Sequence, residues 1–165
     1  MKNVIRMLAA GGLWALVVGS ASAEVVVNYV QSDRFTDLPR MQQEREQVLA
    51  ELTKHLTKLG ADLPAGQTLR IDVDDIDLAG RRLPTTGTRE ERMFHSAVDW
   101  PRIELEYEVE SNGQIVRSGK VALRDMAYLS RTQRYFDGDP LRFEKPMINE
   151  WFYTAVAPRE RTASR

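Results

Sequence analysis

From Arg102 to Val121 the chain reads "RIELEYEVESNGQIVRSGKV", and its first half alternates without a break. Ile103, Leu105, Tyr107 and Val109 share one parity, and Glu104, Glu106, Glu108 and Glu110 share the other. Side chains on a strand point to opposite faces with a period of two, so this segment has one face for a core and one for water. A helix would spread the same residues around its axis. The chain must therefore build a sheet with one covered face, and other segments must supply the cover.

"SNG" at Ser111 to Gly113 turns this strand into a second one. A two-residue Asn112-Gly113 loop pairs Leu105 with Lys120 and Glu104 with Val121, and mixes the faces. A three-residue loop with Gly113 left-handed instead pairs Val109 with Ile115, Leu105 with Gly119 and Ile103 with Val121. Glu104 then faces Lys120, and Tyr107 lies opposite Arg117. The second register is the predicted one.

The cover comes from two helices. "TDLPRMQQEREQVLAELTKHLTKLG" offers Thr36 or Asp37 as a cap, Pro39 in the first turn and Gly60 at a left-handed C-terminal position. Its residues Met41, Val48, Leu49, Leu52, Leu56 and Leu59 form one apolar stripe. "EKPMINEWFYTAV" is a second helix, with Pro146 in its first turn and Met147, Ile148, Trp151, Phe152 and Ala155 on one face. "EVVVNYV", Glu24 to Val30, is a β-branched strand, and "LPAGQ" at Leu63 to Gln67 is a turn. Residues 81–101 show no sustained periodicity and form a long loop, of the kind that is usually functional or unstructured. The order is strand, helix, strand, long loop, hairpin, helix. It predicts an α+β fold, a mainly antiparallel sheet of about four strands with both helices on one face.

The N-terminal segment "MKNVIRMLAAGGLWALVVGSASA" stands apart from this domain. Lys2 and Arg6 precede an apolar run shorter than a bilayer span, and Ala21-Ser22-Ala23 is an A-x-A cleavage pattern. It reads as a cleavable signal peptide over residues 1–23, followed by one globular domain over 24–157 and a frayed tail over 158–165. The expected location is the periplasm. The chain has no cysteine, so it has no disulfide for an oxidising compartment, no thiol nucleophile and no site for a lipid-modified cysteine. Its 165 residues carry a formal net charge of −1, made slightly more acidic by removal of Lys2 and Arg6. That mixed, weak charge argues against a nucleic-acid partner, and no later segment is apolar enough to span a membrane.

"RIDVDDIDLAG", Arg70 to Gly80, poses the main chemical question. As an EF-hand-type loop it fails: counted from Asp72 the fifth position is Ile76, and counted from Asp75 it is Ala79. As a strand it has a parity slip. Leu69, Ile71 and Val73 share one parity and Ile76 and Leu78 the other, which an inserted residue at Asp74-Asp75 would repair as a β-bulge. All five apolar side chains then face the core, while Asp72, Asp77 and at least one of Asp74 and Asp75 face outward. Those four carboxylates form a candidate cation site or meet Arg102, Lys120 or Arg124 of the neighbouring hairpin.

Catalytic vocabulary is otherwise sparse. There is no G-x-S-x-G elbow, phosphate-binding glycine loop, H-E-x-x-H or, after residue 23, S-x-x-K, and no cofactor is implied. His55 reads as a half-buried helix residue, and His95 lies in the long loop near Asp99. Two histidines without cysteine do not make the usual zinc set. Basic and aromatic residues in the two irregular connections offer a candidate binding rim: Arg81, Arg82, Arg89, Arg92, Phe94, Trp100, Arg131, Arg134, Tyr135 and Phe136. Trp100, held extended by Pro101, either joins an exposed patch with Met93 and Phe94 or plugs the end of the core.

Six stretches, "FTD" at Phe35, "LTKLGADLPAGQTL", "DIDLAG" at Asp75, "DWPRIELEYEV" at Asp99, "SGKVALRDMAYL" at Ser118 and "INEWF" at Ile148, resemble a bacterial exported family catalogued as domain of unknown function 3016. The resemblance covers nearly all of the chain after the signal segment and implies no catalytic residues. The element order is also similar to the small module at the amino terminus of TolB-like periplasmic proteins and in some outer-membrane assembly lipoproteins. The expected function is a non-enzymatic periplasmic domain that binds a protein or another envelope component. The alternative is a divalent-metal-binding protein or metal-dependent hydrolase that uses Asp72, Asp74, Asp75 and Asp77.

Overall fold

The computed structural model describes residues 22–84, 90–94, 98–132 and 135–158. The predicted signal segment up to residue 21, Arg89, His95, Arg134 and the tail beyond Pro158 lie outside the described residues. In chain order the elements are β1 (Glu24–Tyr29), α1 (Gln42–Gly60), β2 (Gln67–Asp77), β3 (Arg81–Pro84), β4 (Glu90–Met93), β5 (Arg102–Ser111), β6 (Gln114–Arg124) and α2 (Glu144–Trp151). A π turn over Phe152–Val156 extends α2, closed by the Ala157 N–H donating to the Phe152 carbonyl at 2.8 Å. The main sheet has the order β1-β2-β5-β6, with β1 parallel to β2 and the other neighbours antiparallel. This is the predicted α+β arrangement. The one parallel pair follows from α1, which carries the chain across between β1 and β2.

β2 sits between two neighbours and carries the parity slip. Val73 pairs with Leu105, Asp75 with Glu104 and Ile76 with Ile103, so Asp74 is the extra residue of a bulge. Leu69, Ile71, Val73, Ile76 and Leu78 are all buried, as the bulged reading requires. They pack with Val48, Leu52, Leu56 and Leu59 of α1 and Met147, Ile148, Trp151 and Phe152 at the C-terminal end.

The β5–β6 register differs from the predicted one. Ser111 pairs with Gln114 across a two-residue turn, and both turn residues have positive φ, 52° at Asn112 and 76° at Gly113. That is the type I′ geometry, whose twist matches the flanking strands. A second bulge corrects the faces: Glu110 pairs with Ile115 and Val109 with Arg117, leaving Val116 unpaired. Beyond it Leu105 faces Val121, Ile103 faces Leu123 and Tyr107 faces Gly119. Lys120 is opposite Glu106 rather than Glu104. The turn chemistry won, and an extra residue absorbed the mismatch that an unbroken ladder would have had.

α1 also departs from its predicted punctuation. Its N-cap is Met41, exposed and without a side-chain cap, while Thr36 and Asp37 bond to β2 instead. Gly60 is the last helical residue rather than a left-handed one, and Ala61 after it is still right-handed. Its smallness serves packing: a Cβ at Gly60 would lie 2.1 Å from Val25 Cγ2 of β1.

Residues 81–101, predicted as one loop, contain the β3–β4 hairpin, in which Arg81 pairs with Met93 and Leu83 with Glu91. Four-residue strands are too short for periodicity to declare them. The hairpin is joined to β2 through Gly80, which has φ of 79° and whose N–H donates to the Asp99 carbonyl at 2.9 Å.

An added Cβ at Gly80 would lie 2.5 Å from the Met93 carbonyl oxygen, whereas at Gly66, with similar φ of 80°, it would meet nothing within 4 Å. Gly66→Ala is therefore expected to cost only the left-handed penalty, about 1 kcal/mol, and Gly80→Ala clearly more. Urea denaturation of the two variants checks this. Equal losses would mean that Met93 does not hold the Gly80 turn.

Candidate functional site

The two irregular connections of the sequence fold onto each other. Ala79, Tyr128 and Phe143 form a second buried cluster, against which Phe94 and Trp100 pack. Phe143 stands edge-on to Tyr128 with ring centroids 4.9 Å apart, and Phe94 lies 4.8 Å from Phe143. This small core fastens the segment that follows β2 to the segment that precedes α2. Together they make a lobe on the main sheet.

The backbone of one residue, Ala79, anchors the lobe. The Ala79 N–H donates to Glu144 Oε1 at 2.7 Å, and the Ala79 carbonyl accepts from Arg92 at 2.7 Å. Arg92 also donates to Asp37 at 3.0 Å, and Arg82 Nε lies 3.7 Å from the same carboxylate. Burial pushes the Glu144 carboxyl up from its ordinary value, opposed by the Ala79 N–H bond and the field of Arg92. Burial lowers the Arg92 guanidinium, and Asp37 works against that. These charges hold backbone in place, and the side chains doing so come from four different segments of the chain.

The predicted rim residues divide by environment. Arg82 and Arg92 are largely enclosed by the Asp37 network, and Phe94 and Trp100 pack on the lobe's core. Arg81 is exposed and lies 3.4 Å from Asp99. Arg131 binds the buried Asp125 at 2.8 Å and Glu150 at 2.9 Å, and the Glu150 bond leads the causes that raise its pKa. Tyr135 accepts from Asn149 at 2.8 Å. Phe136 stands out at 82% exposure.

A half-open cleft of about 610 Å³ runs between the lobe and α2, with Tyr128, Tyr135, Phe143 and Tyr153 among its walls and the Arg131 ion pairs at its side. His55 lies behind it. Its Nε2 is 2.8 Å from Asn149 Oδ1, and burial lowers its pKa, so the ring is held toward the neutral form. Asn149 thereby links His55 to Tyr135, which lines the cleft.

The four aspartates of β2 go to separate partners. Asp72 accepts from Asn28 at 3.0 Å, Asp74 pairs with Lys120 at 3.0 Å, Asp75 accepts from the Thr36 N–H and hydroxyl at 2.7 and 2.6 Å, and Asp77 lies 3.5 Å from Arg102. Burial raises the Asp77 carboxyl, with Arg102 opposing. Lys120 is raised by its bonds to Glu106 and Asp74. Among the described residues no three of His, Asp and Glu gather into a set able to hold a metal ion.

The model of the family named Protein of unknown function (DUF3016) matches residues 23–154. The chain belongs to that family. The DUF3016 match begins one residue before β1 and ends inside the π turn that follows α2, so it takes in both the sheet and the lobe. No curated protein and no solved structure matched the chain. Among the described residues no helix is long and apolar enough to cross a membrane, which says nothing of strands that cross as a barrel.

Sequence reasoning found Arg82, Arg92 and Phe94 but missed Asp37, Asp125, Arg142 and Glu144, which complete their surroundings. Each of these sits near helix or turn punctuation and reads locally as a surface residue. Only the tertiary fold shows that Glu144 is 1% exposed.

The raised Glu144 pKa has a defined sign. The folded state holds its proton more tightly than the unfolded chain, so this contribution is full below the ordinary value of 4.5 and is lost as pH rises through the folded value. Comparing urea stability of wild type and Glu144→Gln from pH 4 to pH 8, the difference is expected to move in favour of the glutamine variant as pH rises. A constant difference would mean that Glu144 ionises freely in the fold.

Proposed function

We propose that this chain is an exported, non-enzymatic binding module of the periplasm that recognises a protein or other envelope component with its lobe. The observation that carries the reading is the placement of exposed apolar side chains. Among the described residues eleven large hydrophobics are exposed, and six of them, Leu83, Met93, Val98, Met126, Leu129 and Phe136, belong to the lobe. A small domain keeps such residues on its surface at a cost in solubility, and their concentration on a short hairpin and loops held by a dedicated core is the pattern of an interaction site.

Export is supported by the N-terminal pattern of Lys2, Arg6, an apolar run and Ala21-Ser22-Ala23. A binding role rather than catalysis is supported by the engagement of the titratable groups near the lobe. Asp37, Arg92, Asp125, Arg131 and His55 all have protein partners. Arg81, Arg82, Arg92, Phe94, Trp100, Arg131 and Tyr135 then serve mainly to shape the surface that displays the exposed apolar side chains of the lobe.

Photo-crosslinking in intact cells tests the reading. With a benzophenone amino acid at Met126 or Phe136, discrete crosslinked species in the periplasmic fraction are expected, and none with the same group at Lys58 on α1. Crosslinks of equal yield at all three positions, or at none, would contradict recognition by the lobe, and a cytoplasmic location would contradict export.

A further inference from the structure

A second, smaller pocket of about 290 Å³ opens where the lobe meets α1. Val48, Leu78, Phe94 and Pro140 give it apolar walls, and Arg82, Arg92 and Arg142 line it together. The three arginine side chains are only 17%, 14% and 20% exposed. Each is held in place: Arg82 and Arg92 by Asp37, Arg92 also by the Ala79 carbonyl, and Arg142 by two rings. The Arg142 guanidinium lies 4.8 Å from the centroids of both Phe94 and Phe143, and it donates to the Asp137 carbonyl.

The carboxylates nearby are taken by other partners or screened by water, which leaves Arg142 under-neutralised. Asp37 is shared between Arg82 and Arg92. Asp139 is taken by Lys145 at 2.5 Å and by the Leu141 N–H at 2.9 Å. Asp137 is 92% exposed and 4.0 Å from Arg142, where water screens it, and Glu44 is exposed on α1. Glu144 is shifted toward its neutral form by burial. Arg142 Nε is buried and donates to nothing among the described residues. Buried donors in native structures nearly always have acceptors, and arginine fits carboxylate and phosphate oxygens in particular. Pre-positioned guanidiniums beside an apolar wall suit a ligand that is charged at one end and hydrocarbon at the other.

We propose that this pocket binds a small amphiphilic anion, with a carboxylate or phosphate-monoester head on the arginines and a short hydrocarbon tail against Val48, Leu78 and Pro140. The tail gains by leaving water, and the head gains oxygen-to-guanidinium bonds in a place where solvent screening is weak. The volume limits the tail to a few carbons. A ligand here and a macromolecular partner on the lobe's exposed apolar residues are separable events.

Titration calorimetry of the full chain with hexanoate, hexyl phosphate, hexanol and inorganic phosphate tests this. Saturable binding is expected for hexanoate or hexyl phosphate, with hexanol and inorganic phosphate at least about tenfold weaker. Arg142→Gln is expected to weaken the anion about tenfold or more, as loss of a charge-assisted bond does, and Arg81→Gln, outside the pocket, to change nothing. Pro140→Asp adds an opposing charge at an exposed wall without removing a partner, and is expected to weaken binding even if Arg142→Gln fails to fold. Hexanol binding as tightly as hexanoate, inorganic phosphate as tightly as hexyl phosphate, undiminished affinity in Pro140→Asp, or no saturation by about 10 mM would each overturn the proposal.

Discussion

The bulge at Asp74 is the constraint on which the rest of the molecule depends. β2 is paired on both sides, and its inner face carries five buried aliphatic residues in two groups of opposite parity. In an unbroken ladder Ile76 and Leu78 would point to water, and the bulge prevents this by taking Asp74 out of the pairing. Each such side chain is worth about 1.5–3 kcal/mol when buried, so the pair is a large fraction of the roughly 5–15 kcal/mol that stabilises an ordinary domain. The bulge also sets the phase of the chain beyond Asp77. Ala79 presents its N–H to Glu144 and its carbonyl to Arg92 only because the strand arrives in that register.

From that anchor the lobe is assembled by side chains that look unrelated in the sequence. α2 contributes Glu144, β4 contributes Arg92, the segment before α1 contributes Asp37, and the β6–α2 connection contributes Tyr128 and Phe143. Charged groups are costly to enclose unless they are paired and hydrogen-bonded, and here their partners are backbone or opposite charges. The polar residues of the lobe thus mostly stabilise its shape.

The legible and illegible parts of the fold separate along physical lines. The β5 alternation, the two helices and the parity slip at Asp74 were visible because burial imposes a period, and an error in period is itself a signal. The β6 register differs from the one the alternation predicts because the chain combines two local devices, a type I′ Asn112-Gly113 turn and a bulge at Val116. Gly60 looked like a helix terminator and is instead a contact with Val25, a fact that only strand placement reveals. The β3–β4 hairpin and the Asp37–Arg92–Glu144 linkage were not legible. Four-residue strands carry too little pattern, and pairings separated by 55 residues, as Arg92 and Asp37 are, leave no local trace. Of the candidate residues, Arg82, Arg92 and Phe94 do share a pocket, while Asp72, Asp74, Asp75 and Asp77 go to separate partners.

Deleting Asp74 while keeping every other residue tests the central claim most directly, with Asp74→Ala as its companion. The substitution keeps the extra residue and removes only an exposed contact with Lys120, so it is expected to unfold cooperatively with a midpoint close to that of wild type. The deletion leaves Asp75 as the single residue between Val73 and Ile76, so a regular ladder keeps the pairings of Val73 with Leu105, Asp75 with Glu104 and Ile76 with Ile103 and holds all five apolar side chains on one face; it is expected to unfold cooperatively in urea within about 2 kcal/mol of wild type. A deletion variant that loses its cooperative transition would contradict the account, because Asp74 would then do more than fill the extra place of the bulge.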